Sequence, residues 1–174
     1  MNLLRDIETR TTDKKNGINL IRVIVEIPIG SEVKYELDPS GSYMTAVRLM
    51  NKKYKYIYSY GCLPKTLSGD NDPLDAIIIC DSYFSPGTVL SCIPIGIVLT
   101  EDQGEEDDKV LCIPSFCIPK KINIKKILKY LNHYKYPFQK GTYIKRVLGV
   151  DEANKAIELA IENFKEKYSN EVSK

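Results

Sequence analysis

The chain has 174 residues, 43% of them apolar, which is material for a real core and a length that fits one domain over 1–174. Its 25 basic and 23 acidic side chains leave a formal charge of only +2, which excludes a whole-chain field drawing it to nucleic acid or a membrane surface. No apolar run approaches the ~20 residues of a membrane span, and the start Met1-Asn2-Leu3-Leu4-Arg5-Asp6 is charged too early for a signal peptide, so a cytoplasmic protein is expected.

Residues 1–17 are polar and read as a loosely held N-terminal arm, with the folded part beginning near Ile18. Leu20 to Ile27 is a β-branched run whose two-residue period places Arg22, Ile24 and Glu26 on one face. Val33 to Leu37 follows, with Lys34 and Glu36 opposite Tyr35 and Leu37. Further strands are expected at Met44–Met50, Tyr54–Tyr60, Leu74–Cys80, Thr88–Leu99 and Lys109–Ile113. Short strands at this density predict a closed or strongly curled antiparallel sheet. Two helices come next. Ile124, Ile127, Leu128 and Leu131 mark one over Asn123–Tyr134, capped by Asn123, and Ala153, Ala156, Ile157, Ala160, Ile161 and Phe164 mark another over Asp151–Tyr168. Both stripes read as core packing.

The segment with the most chemistry is Asp70-Asn71-Asp72-Pro73-Leu74-Asp75, directly before the apolar run Ala76 to Cys80. Two carboxylates about 5 Å apart at an effective dielectric near 20 repel by roughly 3 kcal/mol, so converging acids need cations, protons or basic partners. Standing alone, the run could equally be a solvated acidic turn. A second acidic cluster, Glu101 to Asp108, lies between two expected strands, and its first and last acids could face the first cluster across the sheet. Oxygen ligands and a single His in the chain favour hard ions such as Mg²⁺ over Zn²⁺ or Cu²⁺. The calcium-loop template fails, because Leu74 and Asp75 stand where it wants an acid or amide and then a glycine.

Basic and phenolic residues, among them Lys34, Arg48, Lys109, Lys135, Tyr56, Tyr60 and Tyr134, sit on or beside the strand and helix ends. With carboxylates, and with no Ser/His or Cys/His arrangement, they describe a site for a small, highly charged phosphate compound. Cys62, Cys80, Cys92, Cys112 and Cys117 are odd in number and contain no Cys-x-x-Cys pair, which favours buried free thiols over disulfides or zinc.

On these residues the chain resembles the soluble inorganic pyrophosphatases of family I. The family's Asp-x-Asp-Pro-apolar-Asp-apolar signature stands here as Asp70 to Ala76. Val25 to Pro28, Val33 to Glu36, Arg48, Tyr56, Tyr60, Asp102, Asp107, Lys109 and His133-Tyr134-Lys135 match its other elements in the same order. The resemblance implies an α+β fold, a five-stranded OB-like antiparallel β-barrel with additional strands and two main helices packed outside. It implies hydrolysis of inorganic pyrophosphate to two orthophosphates, with several Mg²⁺ ions per active site and a homo-oligomer, a hexamer in bacteria.

By the same resemblance Asp70, Asp75 and Asp107 hold a tight Mg²⁺ pair. Glu26, Asp102 and Asp107 hold ions arriving with substrate, and Glu36 completes the metal set. Asp72 accepts a proton from the attacking water, and Tyr60 is the second catalytic residue. Lys34, Arg48, Tyr56, Lys109, Tyr134 and Lys135 bind pyrophosphate. The chain departs from the family where Ile57 and Ser59 replace a proline and an asparagine, and where Thr142 stands near a common lysine. The rival readings are an oligonucleotide-binding barrel, which would put Lys and Arg where this chain has Asp70, Asp72, Asp75, Asp102 and Asp107, and a catalytically silent assembly subunit. No nucleic-acid or membrane partner is expected.

Overall fold

The structure, a computed structural model, describes residues 1–50, 52–118, 122–133 and 142–169. The chain runs α1 (Leu3–Asp6), β1 (Arg10–Asp13), β2 (Ile18–Ile27), β3 (Val33–Leu37), β4 (Met44–Leu49), β5 (Ser59–Cys62) and β6 (Asp75–Ile78). It continues through β7 (Val89–Asp102), β8 (Glu105–Glu106), β9 (Lys109–Pro114), α2 (Ile124–Leu131), β10 (Thr142–Leu148) and α3 (Val150–Ser169).

The main sheet closes on itself. In the order β2-β5-β6-β9-β7, each strand pairs with the next and β7 pairs back with β2, giving the expected ring of five strands. One pairing differs from the antiparallel expectation: β6 and β9 are parallel, with Asp75 opposite Lys109 and Ile78 opposite Cys112. The long strand β7 lies between them in sequence and turns back beside β9, so β9 re-enters the ring in the direction of β6. β1 and β10 extend the sheet at its edges, and β3 with β4 forms a separate hairpin.

The two-residue alternation along the ring serves two packed regions. Ala76, Ile78, Val110 and Cys112 belong to one buried cluster with Ala153, Ile157, Ala160 and Ile161 of α3. Their sequence neighbours Ile77, Ile79 and Leu111 belong to another with Ile127 and Leu131 of α2. Asn123 caps α2 as expected, its side chain accepting from the Lys126 N–H at 3.0 Å. At the β2–β5 crossing only glycine fits, because a Cβ on Gly61 would stand 2.0 Å from the Ile24 carbonyl oxygen.

Two expectations are corrected. Residues 1–17 are not a loose arm: Asn2 caps α1, β1 pairs with β2, and Arg10 holds Glu158 at 2.7 Å and Asn154 at 3.1 Å on α3. Nor do residues 54–58 form a strand. Lys52–Tyr54 is a 3₁₀ turn and the strand is Ser59–Cys62. The Tyr56, Tyr58 and Tyr60 alternation reflects three rings entering one core cluster, two from the loop before β5 and one from β5 itself. Among the described residues no helix is long and apolar enough to cross a membrane.

Candidate active site

Local rules of chain geometry bring the acids together. In the Asp70–Asp75 turn, Asn71 takes a left-handed conformation (φ 68°), which asparagine tolerates, and the Asp70 carboxylate accepts the Asp72 N–H at 3.0 Å. The turn ends where β6 begins, so Asp75 stands at the mouth of the ring. Glu26 arrives by another device. Val25 opposes Gly61 and Ile27 opposes Tyr60, leaving Glu26 as the extra residue of a β-bulge, the feature that re-aims a side chain beside a site. Lys34 lies opposite Arg48 on the β3–β4 hairpin and pairs with Glu36. In the second acidic turn, the Asp107 N–H donates to the Thr100 carbonyl at 3.0 Å and Asp108 accepts the Thr100 N–H at 2.9 Å.

These elements face one cleft of about 650 Å³. It is lined by Glu26, Lys34, Glu36, Arg48, Tyr56 and Tyr60, and by Asp70, Asp72, Asp75, Asp102 and Asp107, eleven of the fourteen residues singled out from sequence. Lys109 lies directly behind this wall. Its side chain is 0% exposed, and its ammonium donates to Asp75 Oδ2 at 3.0 Å, to Asp107 Oδ1 at 2.6 Å and to the Asp107 carbonyl at 2.9 Å. The Tyr60 hydroxyl donates to the same Asp75 Oδ2. Tyr134 and Lys135 lie outside the described residues.

The electrostatics follow from crowding. Burial, assisted by the Asp75 and Glu36 charges, pushes Glu26 up to about 8 although it accepts the Leu37 N–H at 2.9 Å. Burial and the neighbouring charges of Asp72, Asp75 and Asp107 push Asp70 up to about 6. Asp72 is raised by burial and then by Glu36, and Asp75 is raised by burial against the opposing pull of Lys109. The cleft therefore holds carboxylates that repel one another and gain from any cation that enters. Their chemistry fits hard divalent ions, although among the described residues no three His, Cys, Asp or Glu side chains already stand as a ready-made ligand cluster. Across from them, Arg48 Nε is buried with no hydrogen-bond partner among the described residues, a donor suited to an anion. Cys62 also lines the cleft, but burial raises its thiol well above its ordinary value, so it is no nucleophile.

Some of the lining escaped the sequence reading. Arg5, whose guanidinium lies 4.2 Å over the Tyr168 ring, Lys65, Phe164 and Tyr168 close one end of the cleft. They come from the N-terminal segment, the loop after β5 and the last turns of α3, and no motif links such distant positions. Ser59 explains one departure: fully buried, its hydroxyl accepts the Ile29 N–H at 3.0 Å and ties the end of β2 to β5.

The sequence model of the inorganic pyrophosphatase family matches residues 23–165. The chain is similar to the inorganic pyrophosphatase of Synechocystis sp., 35% identical over 156 residues, covering 84% of this chain and 92% of that protein. It is likewise similar to that of Sulfolobus acidocaldarius, 36% identical over 162 residues with coverage of 84% and 92%. Among solved structures, the inorganic pyrophosphatase of Coxiella burnetii superposes with a TM-score of 0.78 at 29% identity, covering 91% of this chain and 99% of that one.

Proposed function

The chain belongs to the inorganic pyrophosphatase family, and from that premise we infer that it is an inorganic diphosphatase hydrolysing pyrophosphate to two orthophosphates in the acid-lined cleft. The observation that carries the reading is the gathering of eleven sequence-predicted residues, from β2 to the turn between β8 and β9, around one opening. The family is metal-dependent, and Mg²⁺ is the ion the all-oxygen donors favour.

In this reading Asp70, Asp75 and Asp107 hold the first ions, while Glu26, Glu36 and Asp102 serve ions that come with substrate. When bound, such ions would neutralise phosphate charge and make water a stronger acid. The remaining work belongs to the side chains. Asp72, at the cleft and raised from the ordinary carboxylate value, accepts the proton of the attacking water. Tyr60 orients Asp75 through its hydroxyl. Lys34 and Arg48, side by side on the hairpin, grip the oxygens of the phosphate. Lys109 is held by Asp75 and Asp107, so its ammonium is at hand for phosphate once those carboxylates are otherwise neutralised. Tyr56 packs edge-on against Tyr60 at 5.9 Å and holds the phenol wall in place. Family membership also supports a homo-oligomer, with a hexamer as the expected size, and a place in the cytoplasm. Sedimentation velocity reads the first and cell fractionation the second.

The test is phosphate release from pyrophosphate with Mg²⁺ present, chelated, and restored. The reading expects activity that is lost on chelation and returns with Mg²⁺. Release that ignores chelation, or none at all from the folded protein, would overturn it.

A further inference from the structure

A second site lies at the other end of the strands that carry Asp75 and Lys109. Cys80 stands two residues beyond β6 and Cys117 three residues beyond β9, and the parallel pairing of these strands brings both exits together. Both thiols are free, Cys80 buried and Cys117 half-buried, and their Sγ atoms are 2.6 Å apart although 37 residues separate them in sequence. Two further contacts hold the segments in place: the Phe84 and Phe116 rings meet edge to face at 6.1 Å, and the Cys117 N–H donates to the Pro114 carbonyl at 2.8 Å. We propose that Cys80 and Cys117 form a modification site, a reversible disulfide made by peroxide or a disulfide-class oxidant, that staples β6 to β9 at the end remote from the cleft.

The chemistry is direct. The Cys80 thiolate attacks one peroxide oxygen, the O–O bond breaks, and a sulfenic acid and water result. Cys117 sulfur then displaces the sulfenic oxygen and gives up its proton, so that two thiols and one hydrogen peroxide become one disulfide and two waters. Burial works against ionisation of Cys80, but hydrogen bonds from Cys117 and from Ser82 outweigh it and lower the thiol below its ordinary value, while Cys117 is held up at about 11 by burial and by that same bond. Cys80 is therefore the nucleophile and Cys117 the resolving partner. The other close pair, Cys92 and Cys112, is 0% exposed inside the core and out of reach of oxidant. Because the sulfurs are already in contact, closing the bond leaves the Asp75–Lys109 register undisturbed. Its effect is on stability, since a cross-link over a long chain segment restricts the unfolded state.

The experiment treats the full-length protein with hydrogen peroxide, maps peptides by mass spectrometry, and follows thermal unfolding and pyrophosphate hydrolysis before and after dithiothreitol. The expected result is a mass loss of two hydrogens confined to a Cys80–Cys117 cross-linked peptide. A rise in Tm of several degrees should be reversed by dithiothreitol, with turnover unchanged within about twofold; Cys117→Ser and Cys80→Ser should show neither mass loss nor shift. A Cys92–Cys112 link, oxidation to isolated sulfinic acid without cross-linking, or a cross-link that leaves Tm where Cys117→Ser has it would overturn the proposal.

Discussion

The parallel strands β6 and β9 begin and end in opposite environments. At their first residues, Asp75 and Lys109 bury charge against charge; at their last turns, Ile78 and Cys112 are fully buried in an apolar cluster with α3. The backbone ladder is the same along both. Burying an ion removes several kcal/mol of hydration, returned only in part by a partner, whereas each buried methylene contributes about 0.8 kcal/mol. A fold selected for stability alone would end both strands alike. Under the proposed function the charged end serves what it binds, and the apolar end holds it in place.

Substitutions should separate the two ends. After Asp75, the largest effect is expected at Asp72→Asn, where loss of the proposed proton acceptor should slow turnover by ~10²–10⁴ while Mg²⁺ binding, read by calorimetry, largely survives; affinity falling in step with rate would remove Asp72 from that role. Lys109→Ala should lower kcat/KM by ~10²–10³ with Mg²⁺ affinity level or higher, because a like charge has left the metal pocket, and Lys109→Arg should restore only part of the loss. Steady-state kinetics and Mg²⁺ titration of both variants decide, and full activity in the alanine variant would show that the second acidic turn does not serve the site.

At the apolar end, Ile78→Ala should cost about 2–5 kcal/mol of stability in urea unfolding with kcat unchanged. A smaller loss, about 1 kcal/mol, is expected for Ser59→Ala, which strips the Ile29 N–H of its acceptor.

The charged end also predicts a pH dependence. Glu26 is raised from 4.5 to about 8 and Asp70 from 3.8 to about 6 in the folded chain. Between those limits the native state holds more protons than the unfolded one, so without divalent ions stability should fall as pH rises from about 4 to about 8. Mg²⁺ should flatten the curve by replacing the protons. Melts at several pH values in chelator and in Mg²⁺ measure this, and a chelated protein gaining stability over that interval would contradict it.

Much of this contrast was legible in the sequence, for identifiable reasons. The Asp70–Asp75 turn was visible because its three acids precede an apolar run, face a second acidic cluster in the sequence and match a family signature, and β6, β7, β9 and both main helices were visible because their apolar periods are clean. β10 was not, since Lys145 and Arg146 interrupt its alternation at a register shift beside β7. The N-terminal segment read as loose because its support, Arg10 on Glu158 and the Thr9 hydroxyl donating to the Pro64 carbonyl at 2.6 Å, comes from far along the chain. The parallel β6–β9 pairing was hidden for the same reason, and with it the burial of Lys109 and the meeting of Cys80 with Cys117. Spacing tells which side chains share a face; it does not tell which strands lie side by side.

In the proposed function the acids at the β6–β9 mouth bind the cations on which pyrophosphate hydrolysis depends. Asp75→Asn, studied by Mg²⁺ calorimetry together with phosphate release, tests it most directly, because Asn keeps the shape and most of the hydrogen bonding and removes only the charge. Loss of high-affinity Mg²⁺ binding together with loss of turnover is the predicted result. Phosphate release within tenfold of the parent at saturating Mg²⁺ would contradict it.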